Sequence, residues 1–288
     1  MDDAALYAQT KSFLMALAYT QPRILAMFIV LPIFNKQIVP GLLRFSIAAC
    51  IGALAAPMLM PAVTASDLSG AQILLIIAKE AFIGVVMGYL IAIPFWGFEA
   101  VGFFIDNQRG ASIAATLNPL TGNDSSPMGL LFNQAFIVFF FISGGFLLML
   151  GLLYDSFRLW DVFTWYPQLR PESTTLMLEQ LNRLVKIAVL LGSPAIVAMF
   201  LAEVGLALVS RFVPQLQVFF LAMPIKSALA LLVLVLYMST LFEYGGQYVR
   251  ELDAVVPFLN DQWRSGPPPL SPPLTPLPAP IAPPGVVR

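Results

Sequence analysis

Histidine is absent from this sequence of 288 residues, and cysteine occurs once, at Cys50. Without histidine there is no imidazole to act as an acid, a base or a metal ligand near neutral pH. A single cysteine excludes a disulfide framework and a thiolate metal site. The chemistry left to the chain is that of carboxylates, amines, guanidinium groups and hydroxyls.

Charge is also scarce, because Asp, Glu, Lys and Arg together make up 11% of the chain. The net charge is −1, so there is no basic surface for nucleic acid. Apolar residues are abundant, at 59% of the total. They form runs long enough to cross a hydrocarbon layer, which takes about 20 helical residues. The sequence therefore predicts an all-α, polytopic membrane protein in contact with lipid.

Six apolar segments are candidate helices, and they comprise residues 12–34, 41–63, 70–104, 128–154, 184–210 and 212–242. Proline within a helix removes a backbone donor and kinks or breaks the helix. Prolines that interrupt the first, third, fifth and sixth segments include Pro22, Pro32, Pro94, Pro194 and Pro224. Broken helices at membrane depth are tolerated where they pack in protein or line a watery path. This bundle is therefore not expected to face lipid on all sides.

Ionisable residues also occur within the apolar segments, where each costs at least about 2.5 kcal/mol and therefore faces protein or water. Arg23 is one of these residues, and for Lys79 and Glu80 the sequence favours ion pairs between helices, or side chains that reach the membrane surface. For Glu99, Glu203 and Lys226 two further roles stay open. They are contacts between subunits and the polar lining of a conduit, with a proton relay as a third, weaker alternative.

No nucleophile–base pair, metal-ligand spacing or phosphate-binding glycine loop is found, so the sequence predicts neither an enzyme nor a bound cofactor. The last part of the chain, residues 265–288, contains ten of the 24 prolines. So many prolines favour an extended, disordered tail without a core. Docking of this tail on an aromatic groove of a partner is the alternative. The expected organisation is a helical membrane domain, residues 1–264, followed by this tail.

Four blocks of the sequence resemble those of a known family, and they occur in the family's order. They read RILAMFIVLPIFNKQIVPGLLR, FWGFEAVGFFIDNQRGASIAATLNPLTG, SSPMGLLFNQAFIVFFFISGGF and RFVPQLQVFFLAMPIKSALAL. The chain thus resembles the SctT/SpaR group, the membrane export-gate subunit of type III secretion systems, which is related to FliR of the flagellar export apparatus. The resemblance covers about residues 12–260 and is closer to the injection branch, chiefly through FIDNQRGAS.

The resemblance implies a non-enzymatic, multi-pass protein of the bacterial inner membrane. In this family the subunit joins other membrane proteins, here called SctR-like, SctS-like and SctU-like, in a helical hetero-oligomer. Together they surround the channel through which unfolded proteins leave the cytoplasm. The assembly is partly raised above the membrane plane, so some apolar helices contact subunits instead of lipid.

The resemblance also implies a role for the polar stretch between the third and fourth apolar segments, residues 108–124, as a plug that closes the channel. The small or apolar candidate plug residues are Gly110, Ala111, Ser112, Ile113, Ala114, Ala115, Leu117 and Pro119. Small residues suit a narrow lumen, and Ile113 and Leu117 suit a dry constriction. The candidate anchors at the base of the loop are Asp106, Asn107, Gln108 and Arg109. Without the resemblance, an ordinary surface loop would be the simpler interpretation.

The alternative hypothesis is a stand-alone secondary transporter for a small solute. It would use broken helices near the middle of the membrane and couple solute movement to an ion at Glu99 or Glu203. Such transporters commonly contain internal repeats. We find no repeat in this sequence, which argues against the alternative.

Overall fold

The computed structural model describes residues 3–35, 39–65, 68–110, 126–164, 172–212, 218–255 and 257. Within these ranges the regular structure is entirely helical. The long helices are α1, Asp3–Val30; α2, Gly41–Ala65; α3, Gly70–Arg109; α4, Pro127–Ile142; α5, Gly145–Leu159; α6, Glu172–Phe212; and α7, Val218–Arg250. Short 3-10 helices cover Pro32–Phe34 and Glu251–Ala254. The all-α class predicted from the sequence is confirmed.

The number of candidate membrane spans agrees with the sequence. Among the described residues, five helices (α1, α2, α3, α6 and α7) are long and apolar enough to cross a membrane. The α4–α5 pair is a sixth candidate if its two bent helices count as one span. The chain is therefore a multi-pass helical membrane protein.

The fourth apolar segment, predicted at 128–154, is broken into α4 and α5, whose axes differ by 76°. Gly144, between them, has a φ of 81°, in the left-handed region that glycine enters without a steric penalty. Gly145 lies directly against the ring of Phe140, so a side chain at this position would overlap it. The dipeptide therefore ends one helix and begins the next inside an uncharged run.

Proline does not mark the breaks as simply as the sequence suggested. Four of the named prolines lie inside helices that continue on both sides of them, namely Pro22, Pro94, Pro194 and Pro224. A helix continues through proline in a membrane protein when neighbouring helices and side chains compensate for the missing hydrogen bond. Pro94, for example, is buried. Pro32, by contrast, begins the 3-10 helix that follows α1.

Helix α3 is the centre of the fold and packs against α1, α4 and α6, with a smaller contact to α7. It has 40 residues, which corresponds to a length of about 60 Å, twice the thickness of the hydrocarbon core of a bilayer. Its start is capped by the Gln72 side chain, whose Oε1 accepts from Ser69 N at 2.9 Å. Its end is Gly110, which has a φ of 83° and follows the last turn as a left-handed C-cap.

The partners of α3 lie along different parts of its length. Gly84 and Gly88, in the first half, lie against the backbone of α1, so that side chains there would overlap it. Such small residues spaced by four allow close approach of membrane helices. Gly97, in the second half, lies against Ile187 of α6. Helices α1 and α6 thus contact successive parts of α3.

Candidate functional site

The last turn of α3 and the first turn of α4 are joined by the carboxylate of Asp106. Its Oδ2 accepts a hydrogen bond from the Ser126 hydroxyl at 2.5 Å and another from Met128 N at 2.9 Å. Its Oδ1 pairs with Arg109 Nη2 at 2.6 Å. Helix N-termini have unsatisfied N–H groups and favour negative charge, which both the carboxylate and the Ser126 cap supply. Asp106 is 3% exposed, so water does not weaken these contacts.

The same two helices touch at the level of their backbones. A side chain at Gly102 on α3 would overlap the backbone of Met128 and Gly129 on α4. Ser126 Oγ also accepts from Gly129 N at 2.8 Å, so the first turn of α4 is fixed both by its own cap and by α3. We call Asp106, Arg109, Ser126 and these two glycines the α3–α4 clasp. The clasp residues lie at the two ends of the stretch for which the sequence predicted a plug, residues 108–124.

Most of the predicted plug lies outside the described residues. The described plug residue is Gly110, the C-cap of α3. The others, namely Ala111, Ser112, Ile113, Ala114, Ala115, Leu117 and Pro119, lie in residues 111–125, which the structure does not describe. The four predicted anchor residues are all described and form the last turn of α3.

Gln108 in this last turn faces α6 and α7 instead of α4. Its Nε2 lies 3.5 Å from Glu203 Oε2 on α6, and the same oxygen pairs with Lys226 Nζ on α7 at 3.2 Å. The side chain of Glu203 is 50% exposed and that of Lys226 is 11% exposed. A cleft of about 450 Å³ adjoins these contacts and is also lined by Asn107 and Ser210. The structure therefore brings Glu203 and Lys226 together with Gln108.

Glu99, the remaining charge singled out from the sequence, lies on α3 about two turns before Asp106. Its Oε2 accepts from Asn133 Nδ2 on α4 at 2.9 Å. The side chain is exposed. Each of the three charges thus has a contact within the chain, and Glu99 and Glu203 also remain accessible.

A second polar cluster lies in the first half of α3, where Arg23 of α1 contacts Glu80. The guanidinium donates from Nε to Oε2 at 2.7 Å and from Nη2 to Oε1 at 3.0 Å, which is a bidentate pair. Both residues are fully buried. Arg23 also donates to Ser156 Oγ at 3.1 Å and to the carbonyl of Trp160 at 2.9 Å. The sequence favoured an ion pair between helices for Glu80, and its partner is Arg23 of α1.

Lys79 completes this cluster and also contacts backbone carbonyls after α5, which the sequence did not predict as its partners. Its Nζ lies 3.0 Å from Glu80 Oε1 and donates to the carbonyls of Asp161, Val162 and Thr164 at 3.0, 2.6 and 3.0 Å. Arg23 and Lys79 therefore bind the chain where α5 ends. The available signal was the position of these charges in apolar runs, which indicates burial but not the partner.

Among the described residues there is no candidate metal site, because no three side chains of His, Cys, Asp or Glu lie close enough together to hold an ion. What the geometry defines is a multi-pass membrane protein in which a buried polar clasp joins two apolar helices on either side of a polar stretch.

Comparison with known proteins identifies the family. Residues 14–252 match the family model described as "Bacterial export proteins, family 1", and the chain belongs to this family. It is 40% identical over 229 residues to the Yop proteins translocation protein T of Yersinia pestis, with 78% of this chain and 87% of the relative covered. It is 33% identical over 236 residues to the surface presentation of antigens protein SpaR of Salmonella typhimurium, with 82% and 87% covered.

A flagellar relative is also similar: the chain is 29% identical over 227 residues to the flagellar biosynthetic protein FliR of Bacillus subtilis, with 76% of this chain and 85% of the relative covered. The identity to the two secretion proteins is higher, in agreement with the injection branch expected from the sequence. The resemblance to the SctT/SpaR/FliR family is thereby confirmed. Members of this family are components of type III export apparatus and not enzymes.

Proposed function

We propose that this protein forms and gates part of the channel for unfolded proteins in a type III secretion apparatus of the bacterial inner membrane. Residues 108–124 are the plug, and residues 1–264 are the helical domain that carries it. Family membership supports the role in protein export. The name of the Yersinia relative, Yop proteins translocation protein T, supports protein substrates.

The single observation that carries the gating role is the α3–α4 clasp. Asp106 and Ser126 are within hydrogen-bonding distance, so the chain between them leaves the helices and returns to them at one place. Asp106, at the centre of the clasp, is buried, and the clasp lies at the end of a helix that is about 60 Å long. A segment that blocks a passage needs a base that does not move with it, and the clasp supplies such a base.

The composition of the proposed plug fits this role. Gly110, Ala111, Ser112, Ala114 and Ala115 are small enough for a narrow lumen. Ile113 and Leu117 add the apolar surface that excludes water and ions from a constriction, and Pro119 limits the conformations of the loop. Asp106 and Arg109 anchor the base through their ion pair, while Asn107 and Gln108 border the cleft on the other side.

The proposed partners are SctR-like, SctS-like and SctU-like membrane subunits. Support comes from the outer faces of α6 and α7, which leave many large apolar side chains exposed; these include Val197, Phe200, Leu201, Leu232, Val235 and Leu236. Helix α3 is also about 60 Å long, twice the thickness of the hydrocarbon core, which leaves part of the bundle free to contact protein. Glu99 and Glu203 are accessible for contacts with these subunits, and Lys226 acts there through its pair with Glu203.

Deletion of Ile113–Leu117 tests the gate. The complete apparatus is expected to assemble with the shortened chain, and the bacterial membrane is expected to leak ions because the constriction is lost. Assembly is followed by native electrophoresis, and leak by the decay of an ion gradient. A deletion variant that assembles and stays tight would show that residues 108–124 do not close the channel.

Purification in mild detergent tests the assembly. We expect the chain to co-purify with several different small membrane proteins, which mass spectrometry identifies. A protein that purifies alone and binds a small solute would instead be the stand-alone transporter.

A further inference from the structure

Glu99 differs from the other carboxylates that lie inside the apolar helices. Glu80, Asp106 and Glu203 each form an ion pair with a lysine or arginine of the same chain. In the part of the chain that the structure describes, Glu99 forms no ion pair. It also lies about 15 Å before the end of α3 at Arg109, so it is not a residue of the helix terminus. Ionisable groups inside membrane helices are normally paired, which leaves the counter-charge of Glu99 to be found.

The polar neighbour of Glu99 is an amide. Asn133 Nδ2 on α4 donates to Glu99 Oε2 at 2.9 Å. Asn133 Oδ1 is buried and accepts no hydrogen bond, so the contact of this amide is the one to the carboxylate. A neutral donor orients a carboxylate but leaves its charge uncompensated. Glu99 is exposed, and its Oε1 stays available as an acceptor.

The two helices that carry this pair are closely packed around it. A side chain at Gly129 on α4 would lie 3.1 Å from the backbone carbonyl oxygen of Glu99 on α3. A side chain at Gly102 would overlap the backbone of Met128. The carboxylate is therefore held on a rigid pair of helices and not on a loop. A preformed site of this kind loses little conformational freedom when it binds.

Exposed apolar side chains flank the pair. Phe103, one turn after Glu99 on α3, is 47% exposed, and Leu130, one turn before Asn133 on α4, is 45% exposed. We call these four residues the Glu99 patch. Apolar neighbours exclude water and strengthen the attraction between a carboxylate and a cation. A lipid tail would cover the apolar groups but supply no cation, whereas a protein helix can supply both surfaces.

We propose that the Glu99 patch is a contact site for a neighbouring membrane subunit, whose helix places a lysine or arginine side chain against the Glu99 carboxylate. The inference rests on the proposed function, because it names the chemistry by which one of the proposed subunits binds. The carboxylate accepts from the ammonium or guanidinium group, and Phe103 and Leu130 pack on the apolar part of the same helix. Asn133 is a positioning residue, since it acts through Glu99.

The variant Glu99→Gln tests the charge without removing the contact inside the chain, because glutamine keeps an oxygen that accepts from Asn133. The complete apparatus is purified in mild detergent through this chain. We expect the yield of at least one partner subunit to fall roughly tenfold or more, as for the loss of one charge of a desolvated pair. Glu179→Gln is the matched control, because Glu179 is exposed on α6 and forms no ion pair in the described chain. The amount of each variant in the membrane checks folding.

A photoreactive benzophenone side chain introduced at Phe103 identifies the neighbour in intact cells. After illumination, mass spectrometry is expected to find a segment of a different membrane subunit that contains a lysine or arginine. Glu99→Lys alone should abolish co-purification of that subunit. Combining it with substitution of the identified basic residue by glutamate should restore co-purification, because the two charges are again opposite.

The results separate the inference from the proposed function. If the wild type co-purifies with other membrane subunits and Glu99→Gln retains them as well as Glu179→Gln does, Glu99 needs no cation and the inference alone is overturned. Crosslinks from position 103 to lipid only, or to a segment without a basic residue, also overturn it. A charge exchange that restores nothing contradicts direct pairing. If the wild-type chain purifies alone, the proposed assembly fails and the inference fails with it.

Discussion

Replacing either member of the Arg23–Glu80 pair should destabilise the protein far more than replacing both. Arg23→Met leaves Glu80 with one cation, Lys79, whereas Glu80→Leu leaves two cations close together without a carboxylate. Removing one partner of a buried ion pair costs about 3–5 kcal/mol, because the other charge stays buried without its counter-charge. The pair here is fully buried, so this range applies to Glu80→Leu without discount for solvent. Arg23→Met should lie at its lower end, because Lys79 stays 3.0 Å from Glu80.

The double variant Arg23→Met, Glu80→Leu removes the charge conflict and fills the space with apolar atoms. Such replacements are often neutral or stabilising. Lys79 keeps its contacts to the carbonyls of Asp161, Val162 and Thr164, so we expect the double variant to cost at least about 2 kcal/mol less than Glu80→Leu alone.

The measurement is the free energy of unfolding of the purified complex in mixed micelles, obtained by titration with a denaturing detergent. Arg158→Met is the matched control, because Arg158 and Asp155 form an ion pair 3.6 Å long with side chains 71% and 50% exposed. An exposed pair of this kind contributes about 0–1 kcal/mol. If the effects of Arg23→Met and Glu80→Leu simply add, the two charges do not depend on each other and our account of the cluster is wrong.

Three further changes test the parts of the fold that position the plug. Gly102→Ala should destabilise the α3–α4 contact by about 1–3 kcal/mol, because the added methyl group overlaps the backbone of α4. Gly151→Ala is the control and should be tolerated, because a methyl group there meets open space. The two variants are compared by their free energy of unfolding in detergent. Asp106→Ala should lower the free energy of unfolding by about 1–2 kcal/mol, because the first turn of α4 loses its acceptor. The same variant should raise the ion leak. An unchanged leak would count against the clasp as the base of the plug. Lys79→Met should expose the turn at 161–164 to limited proteolysis, since the carbonyls lose their donor; unchanged cleavage would show that other contacts hold this turn.

Much of the architecture could be predicted because it depends on local sequence. The apolar runs placed the helices, and α2 and α3 begin at the positions expected, Gly41 and Gly70. The break between α4 and α5 also has a local cause, the dipeptide Gly144–Gly145. The sequence analysis predicted breaks at prolines and therefore did not predict this one. Proline was a poor guide here, because a buried helix such as α3 continues through Pro94 with neighbours packed around it.

The partners of the polar residues could not be predicted in the same way. The sequence placed Asp106, Gln108 and Arg109 together in one turn, but it did not indicate that Asp106 binds α4 while Gln108 faces α6. Side chains that are adjacent in a helix point in different directions, and their partners depend on which helix lies on each side. Whether residues 108–124 close a channel stays a prediction.

By itself, the sequence determined that this chain is a multi-pass helical protein, because a membrane requires each crossing segment to satisfy its own backbone and to be apolar along its length. Only the tertiary structure decided which charges meet. Arg23 and Glu80 are 57 residues apart, and Gln108 and Glu203 are 95 residues apart. Such pairs form because α3 packs with α1 along one half and with α6 along the other, an arrangement that depends on contacts between helices and not on any local pattern.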